Sequence, residues 1–282
     1  RCDSSLRGGS GRSANQLLMS ETEVQFFNRY TSQIETESIY GEYWLKFSLY
    51  NPFGKLGLHT MVKRACFAHW YGSRMSSSKS RDRIKPFIEK FGINEEEHLK
   101  GVSKYTSFND FFYRKLKPEA RAVHGAEGSV VFPADGRHLG FSKASDVEGV
   151  FVKGQKFNLE RLLGNSDLAA RYADGAAVFS RLCPVDYHRF HFPVAGVPGN
   201  TRLINGHLCS VNPLALRDRL AILWENKRYV TEIKTERWGR VLMLEIGATN
   251  VGSVNLTYVP TRPVKKGEEK GYFAFGGSAT FT

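Results

Sequence analysis

The chain has 282 residues, of which 41% are hydrophobic, and a formal net charge of +12 at pH 7. A chain of this length buries enough surface to fold without disulfides or a structural metal, and no apolar run approaches the roughly 20 residues that a membrane-spanning helix needs. The positive charge favours an anionic partner, such as nucleic acid or an anionic membrane. The cysteines form no CxxC pair and are expected to be reduced, so no secreted disulfide framework is implied.

The N-terminal part of the chain is predicted to be helical. Residues 1–30 mix Arg, Ser and Gly and are expected to form a flexible tail, followed by a helical, basic, membrane-facing region over residues 31–125. Apolar residues recur at three- and four-residue spacing from Leu56 to Trp70, which indicates one face of a helix. A second helix is predicted from Arg81 to Phe91, where a glycine ends it, and Ser107 is placed to cap a third.

The basic charge is concentrated in these helices. Between Lys55 and Lys90 the sequence has nine Lys and Arg and two Asp and Glu, so the segment carries 9 − 2 = +7. A basic amphipathic helix with Trp70 and Tyr71 at one end is typical of a membrane-surface element, where each basic group adds about 1 kcal/mol of binding. A helix packed on its own domain with a solvated basic face is the alternative. Nucleic-acid binding is disfavoured, because the aromatic residues follow helical rather than strand spacing. We therefore expect a peripheral membrane protein; the organelle is not predicted.

Residues 126–282 are predicted to form a β-rich domain, because short β-type runs alternate there with Gly, Pro, Asn and Asp. One helical insert is expected at about 159–172. The predicted fold class is α+β, with the helical N-terminal region packed on a β-rich, mostly antiparallel domain. The strands are expected at 128–132, 138–141, 150–152, 175–180, 230–234, 239–246, 253–258 and 272–275.

Three separated segments of the β-rich part carry candidate chemistry. They are FPADGR (132–137), DYHRFHFP (186–193) and FGGSA (275–279), and they supply Asp135, the pair His188 and His191, and Ser278. Taken singly, each pattern is weak: Asp before Gly is a turn signature, and Gly-Gly-Ser is ordinarily a flexible turn. The two histidines have no third ligand with a recognisable motif, so no metal site is predicted.

Together these segments resemble the phosphatidylserine decarboxylase family. The resemblance covers most of the chain from about Asn51 to Ser278, and the motifs follow one another in order. The motifs are SFNDFFYRKLKPEAR (107–121), PADGR (133–137), VKGQKFNLERLLG (152–164), DYHRFHFPVAG (186–196), INGHLCSVNPLAL (204–216), NKR (226–228), GATNVGSV (247–254) and KKGEEKGYFAFGGS (265–278). The GGS form of the last motif resembles one subgroup of the family, in contrast to the LGS form of others.

The resemblance implies a proenzyme that cleaves itself between Gly277 and Ser278. By analogy, Ser278 attacks the Gly277 carbonyl with His191 as the base and Asp135 as its orienting partner. Glycines suit this position because the backbone must approach its own side chain closely. Ser278 then becomes a pyruvoyl group, the self-derived cofactor, and begins a self-derived small subunit.

The same resemblance implies that phosphatidylserine in an anionic membrane is decarboxylated to phosphatidylethanolamine and CO₂. The pyruvoyl carbonyl acts as an electron sink, and His188 is the candidate proton donor to the carbanion that loses CO₂. Residues at i and i+3 of a strand point to opposite faces, so His188 and His191 share a site only if the backbone bends. A homodimer is an open alternative to a monomer.

The chain departs from the family pattern in two places. Ala279 stands where the family usually has Thr, so slower cleavage is expected. The chain ends at Thr282, where family members continue, so a truncated C-terminus is expected, with too few strand partners to hold the segment after Ser278. A pyruvoyl decarboxylase of a soluble amino acid and a non-catalytic membrane-associated homologue are alternative functions. A serine hydrolase is disfavoured because GGSA lacks the GxSxG elbow.

Overall fold

A computed structural model describes residues 24–37, 42–57, 65–147, 151–152, 155–248, 254–274 and 278–282. The chain divides into two compact units, residues 1–40 and 41–282. In the first unit, strand β1 (Gln25–Asn28) pairs antiparallel with β2 (Gln33–Thr36). This hairpin was not predicted from the sequence. Its turn places Ser32 at φ 55°, a conformation usually signalled by glycine. The domain boundaries drawn from the sequence stay predictions.

The second unit begins with helices. They are α1 (Glu42–Tyr50), α2 (Pro52–Gly57), α3 (Ala65–Ser76), α4 (Ile84–Phe91) and α5 (Phe108–Phe112), with 3₁₀ turns at Ser78–Arg83, Glu95–Glu97, Val102–Lys104 and Pro118–Arg121. Two predictions are confirmed. α4 is followed by Gly92 in the left-handed conformation, and the Ser107 hydroxyl caps α5 by accepting a bond from the Asp110 amide. Part of the predicted apolar face from Leu56 to Trp70, residues 58–64, lies outside the described residues.

The helices of this region enclose an aromatic core. Phe108, Phe111 and Phe112 of α5 are almost fully buried and pack with Ile84 and Phe87 of α4. The Phe87 and Phe108 rings meet edge to face with centroids 5.2 Å apart, an arrangement that aromatic pairs favour. The end of α5 is therefore held rigidly, and the residues that follow it reach the β-rich part.

The rest of the second unit consists of strands and short helices. The strands are β3 (Arg137–Phe141), β4 (Phe151–Val152), β5 (Gln155–Lys156), β6 (Ala177–Leu182), β7 (Arg189–His191), β8 (Val197–Pro198), β9 (Arg202–Ile204), β10 (Arg228–Lys234), β11 (Arg240–Ile246), β12 (Val254–Leu256), β13 (Glu269–Phe273) and β14 (Ser278–Phe281). The helices are α6 (Ala144–Val147), α7 (Leu159–Leu163), α8 (Ser166–Tyr172), α9 (Pro213–Asp218) and α10 (Ile222–Glu225). The strand predicted at 128–132 is wrong, since those residues form no regular element.

Two antiparallel sheets form the centre of this part. The large sheet has the order β3-β6-β14-β11-β10-β8, with β9 also paired to β10, and the small sheet has the order β12-β13-β7. Apolar side chains from both sheets join in one core: Leu182, Ile233 and Met243 from the large sheet, Phe190 and Phe273 from the small sheet. The helices and antiparallel sheets confirm the predicted α+β class.

β14 is an interior strand of the large sheet. Ser278 is paired with Leu182 of β6, and Phe281 is paired with Leu244 of β11. All four residues of β14 are buried. The expectation that the segment after Ser278 would lack strand partners is therefore wrong, because this short segment is hydrogen-bonded along both of its edges.

Candidate active site

Ser278 opens β14 and is fully buried. Its side chain faces the same side of the large sheet as Leu182, which belongs to the core shared by the two sheets. The Ser278 Oγ atom has no hydrogen-bond partner among the described residues, and the same is true of Thr280 Oγ1 and Thr282 Oγ1 further along the segment. Buried hydroxyls are normally bonded, so unpartnered ones need an explanation, and of these three only Ser278 is a predicted nucleophile. Gly277, the other half of the predicted cleavage site, lies outside the described residues.

Ala279 follows Ser278 in the middle of the sheet, paired with Arg181 on one side and Ile246 on the other. Successive residues of a strand point to opposite faces. The side chain at position 279 therefore points away from the layer that receives the Ser278 hydroxyl. The effect of Ala279 on the rate of cleavage stays a prediction.

Asp135 lies just before β3, at the end of β6 where Ser278 is paired. Gly136 has φ 144°, and a Cβ atom there would stand 2.3 Å from the Arg181 carbonyl oxygen, so the glycine permits this close approach. β6 separates β3 from β14, so the backbones of β3 and β14 lie roughly 10 Å apart, two strand spacings, and Asp135 stands two residues before β3. The Asp135 carboxylate accepts a hydrogen bond from Arg121 Nε at 2.6 Å.

His191 ends β7, and its ring nitrogen Nδ1 lies 3.0 Å from the Gly267 carbonyl oxygen. A carbonyl only accepts, so Nδ1 carries the proton and Nε2 keeps its lone pair. Burial lowers the pKa of His191, while the carboxylates of Glu269 and Asp135 act in the opposite direction. His191 is therefore a neutral imidazole at pH 7, with one nitrogen free to accept a proton.

The structure places Asp135 and His191 on adjoining segments but does not bond either to Ser278. The His191 amide donates to the Pro133 carbonyl at 2.7 Å, two positions before Asp135 in the chain. Among the described residues, no hydrogen bond joins the Asp135 carboxylate, the His191 ring and Ser278 Oγ. The bond that orients His191 is made by Gly267, not by Asp135. Catalytic hydrogen bonds often tighten only along the reaction, so this geometry does not disqualify the residues.

His188 is fully buried and precedes β7. Its Nδ1 lies 2.8 Å from the Asp186 carbonyl oxygen, which fixes the same tautomer as in His191, and its Nε2 is unpartnered among the described residues. The Phe112 ring covers it, with centroids 3.9 Å apart. Burial lowers the pKa of His188 to about 3. Its carbonyl accepts from the Phe273 amide at 2.9 Å, five positions before Ser278.

Several charged residues at this end were not predicted from the sequence. Arg121 bonds Asp135, and the buried Arg114 donates to the Val185 carbonyl at 3.1 Å. Arg189 Nη1 donates to both carboxylate oxygens of Glu269, each 2.9 Å away. These pairs span 14, 71 and 80 positions of the chain, so neither periodicity nor a short motif could have indicated them.

The core between the sheets also holds an ion pair. Lys270 Nζ lies 2.5 Å from Glu245 Oε1, and both side chains have no exposed surface. An irregularity between Glu269 and Gly271 interrupts the pairing of β13 with β7 at Lys270, which re-aims its side chain inward. Glu245 is paired with Thr280, next to Ser278 on the same face of β14.

No group of three or more His, Cys, Asp or Glu side chains that could hold a metal ion occurs within the described ranges. In the same ranges, none of the helices has the length and apolar character needed to cross a bilayer.

Comparison with known proteins identifies the family. The sequence profile of phosphatidylserine decarboxylase matches residues 108–282. The chain is 46% identical over 260 residues to the phosphatidylserine decarboxylase proenzyme of Fusobacterium nucleatum, covering 92% of this chain and 87% of that protein. It is 45% identical to the proenzyme of Chlamydia muridarum, with 92% and 86% covered, and 44% identical to that of Chlamydia pneumoniae, with 90% and 84% covered.

The profile takes in Asp135, both histidines and Ser278, and the similarity to these relatives extends through the helical part as well. The chain belongs to the phosphatidylserine decarboxylase family.

Proposed function

We propose that this protein is a phosphatidylserine decarboxylase proenzyme that cleaves its own chain between Gly277 and Ser278. The observation that carries the proposal is the Ser278 hydroxyl, which is fully buried and unpartnered in the described residues at the end of the sheet where Asp135 also lies. A buried hydroxyl held without a partner is available for reaction, and burial keeps water from competing with it.

In the first step, Ser278 Oγ bonds to the Gly277 carbonyl carbon and the peptide C–N bond breaks. His191 Nε2 takes the hydroxyl proton, and the freed amine of Ser278 receives one. In the second step, the Ser278 Cα loses a proton and the Cβ–O bond breaks, which leaves Gly277 as a carboxylate. The dehydroalanine takes up water and releases ammonia, so residue 278 becomes a pyruvoyl group. Asp135 stabilises the protonated His191 through its charge.

The surroundings of Ser278 fit the group that would form from it. The carbonyl of a pyruvoyl is neutral, and it would lie in the buried layer that holds Leu182 and Phe273. The charged residues described in that layer, Lys270 and Glu245, are paired with each other. Once formed, the group supplies an electron sink for loss of CO₂ from the substrate. The backbone of residue 278 stays anchored by its pairing with β6.

His188 is proposed to deliver the proton that replaces CO₂. With a pKa of about 3 it is neutral in this structure, and a neutral imidazole is a poor acid. Phosphatidylserine brings a phosphodiester and a carboxylate, and negative charge nearby favours the protonated ring. The bound substrate would therefore favour protonation of His188. The ring would act as an acid only when substrate is bound.

The substrate is proposed to be reached at an anionic membrane surface. Phe53 of α2 and Trp70 of α3 are 80% and 53% exposed, and the Arg74 guanidinium lies 5.4 Å from the Trp70 ring centre. Exposed aromatics beside cations suit the boundary between headgroups and acyl chains. This supports peripheral association through the helical region, where the charge is also most positive.

Mass spectrometry of the purified full chain tests the proposal. Wild-type protein should give two fragments, the smaller beginning with a pyruvoyl group, and the Ser278→Ala variant should stay intact. His191→Gln should block cleavage, whereas His188→Gln should cleave but fail to release CO₂ from phosphatidylserine vesicles. A wild-type chain that never cleaves under native conditions would overturn the proposal. Faster CO₂ release from free serine or tryptophan than from the vesicles would favour a soluble substrate.

A further inference from the structure

The Asp135 carboxylate is held by a residue 14 positions earlier in the chain. Arg121 Nε lies 2.6 Å from Asp135 Oδ2, a short, charge-assisted hydrogen bond of the stronger kind. Arg121 uses its Nη1 atom on Glu97 Oε2, 3.0 Å away. One guanidinium therefore bridges two carboxylates, with Asp135 at the entrance to β3 and Glu97 in the helical part.

Arg121 itself is fixed by local structure. It ends the 3₁₀ turn that begins at Pro118, and its Nη1 also donates to the Ala120 carbonyl at 2.6 Å. Glu97 is held by its backbone, since its carbonyl accepts from the Lys117 amide at 2.8 Å. Arg121 and Glu97 are thus both bonded to the stretch of chain at residues 117–121. The guanidinium therefore has little freedom to follow Asp135.

The charges around Arg121 match this role. Burial acts to lower the pKa of Arg121, but the carboxylates of Asp135 and Glu97 more than offset it and raise the pKa. The guanidinium is permanently charged. Its planar fork can serve two carboxylates at fixed angles, which a lysine ammonium cannot reproduce.

We infer that Arg121 is a positioning residue for self-cleavage: it pins one oxygen of Asp135 and leaves the other to act on His191. The inference rests on the proposed role of Asp135. Without the bridge, a carboxylate on a partly exposed turn would turn into solvent, and its charge would act less on the imidazole. A misplacement of about 1 Å can slow a reaction roughly a hundredfold.

A purely structural role would have a different signature. The side chains of Arg121 and Asp135 are 41% and 28% exposed, and ion pairs this exposed contribute little to stability. Removing the guanidinium should therefore leave the melting temperature within about 3 °C of the wild type. The rate of cleavage should fall much further than such a small loss of stability can explain.

The experiment measures the first-order rate of self-cleavage of freshly folded full chain by gel electrophoresis. Arg121→Gln should be slowed roughly tenfold to a hundredfold, and Arg121→Lys should be intermediate. Arg121→Ala should recover part of its rate with millimolar methylguanidine, which can reach this partly exposed site. Lys100→Gln is the matched control, because the Lys100–Asp110 pair has similar exposure, 40% and 20%, and should leave the rate unchanged.

The Asp135→Asn variant separates the proposed role of Asp135 from the inference about Arg121. If Asp135→Asn cleaves at the wild-type rate, the proposed role of Asp135 fails. If Asp135→Asn is slow but Arg121→Gln is as fast as the Lys100→Gln control, only the inference about Arg121 is overturned. The double variant Arg121→Gln with Asp135→Asn should be no slower than Asp135→Asn alone, and an additive loss would contradict a shared role.

Discussion

The helices α1 to α3 and the strand β14 differ in the solvent exposure of their side chains. The helices present Tyr43, Phe53 and Trp70 to solvent, whereas every residue of β14 is buried. Exposed aromatics cost stability unless they meet something apolar, and a buried serine costs stability unless it is bonded. Each region therefore keeps an unfavourable feature that the proposed function would explain: contact with a lipid surface in one, and a protected nucleophile in the other.

The largest effect is expected in the buried region, on breaking the Glu245–Lys270 ion pair. Lys270→Met leaves the Glu245 carboxylate without its cation in the core, which should lower the free energy of unfolding by about 3–5 kcal/mol. The double variant Glu245→Leu with Lys270→Met should recover most of this loss, because apolar groups need no partner. Urea unfolding of the three proteins measures both effects. A single variant as stable as the wild type would mean that the layer beneath Ser278 is not dry.

A second test uses pH. The pKa of His188 is about 3 in the folded chain and about 6.5 when unfolded, so folding favours the neutral ring. The stability that this provides is present above pH 6.5 and is lost as the pH falls. Between pH 7 and pH 5, His188 should account for about 2 kcal/mol of lost unfolding free energy.

His188→Gln should therefore show a smaller decrease than the wild type over that interval, measured by urea unfolding at each pH. The comparison of the two proteins removes the contributions of the other titrating groups. Equal slopes for the two would show that the ring is reached by water in the folded state, contrary to its burial.

The smallest effect is expected in the exposed helices, on binding to vesicles. Phe53→Ser should weaken binding to phosphatidylserine vesicles about tenfold, or 1.4 kcal/mol, since a largely exposed ring gains about that much on entering an apolar phase. Its melting temperature should not change. Val259→Ser is the control, because Val259 is 58% exposed but lies in the β-rich part. Equal losses in the two variants would remove the distinction between the regions.

Local signals in the sequence predicted much of this fold. Ser107 and Gly92 mark helix ends by mechanisms that act within a few residues, and alternating strands such as β10 and β11 are visible as short β-type runs. The hairpin at β1 and β2 was missed, because its turn uses Ser32 where glycine would have given the signal. The sequence indicated the three segments that carry the candidate residues Asp135, His188 with His191, and Ser278. It could not predict how these residues are arranged in space.

The missed contacts share one cause. Lys270 stands in a run of Lys, Gly and Glu that resembles a solvated turn, and its burial depends on Glu245, 25 positions earlier. Arg121 meets Asp135 across 14 positions of chain, outside any helix or strand period. Such pairings depend on tertiary structure, and no local pattern in a single sequence encodes them.

The place of β14 in the large sheet has a consequence for timing. The strand follows β6 and β11 in the chain and lies between them in the sheet, so the two can be joined only after both have been made. Contacts of such long sequence separation form slowly. The Ser278 hydroxyl thus becomes buried late in the assembly of the sheet, and under the proposed function this delay would keep a nascent chain from cleaving itself early.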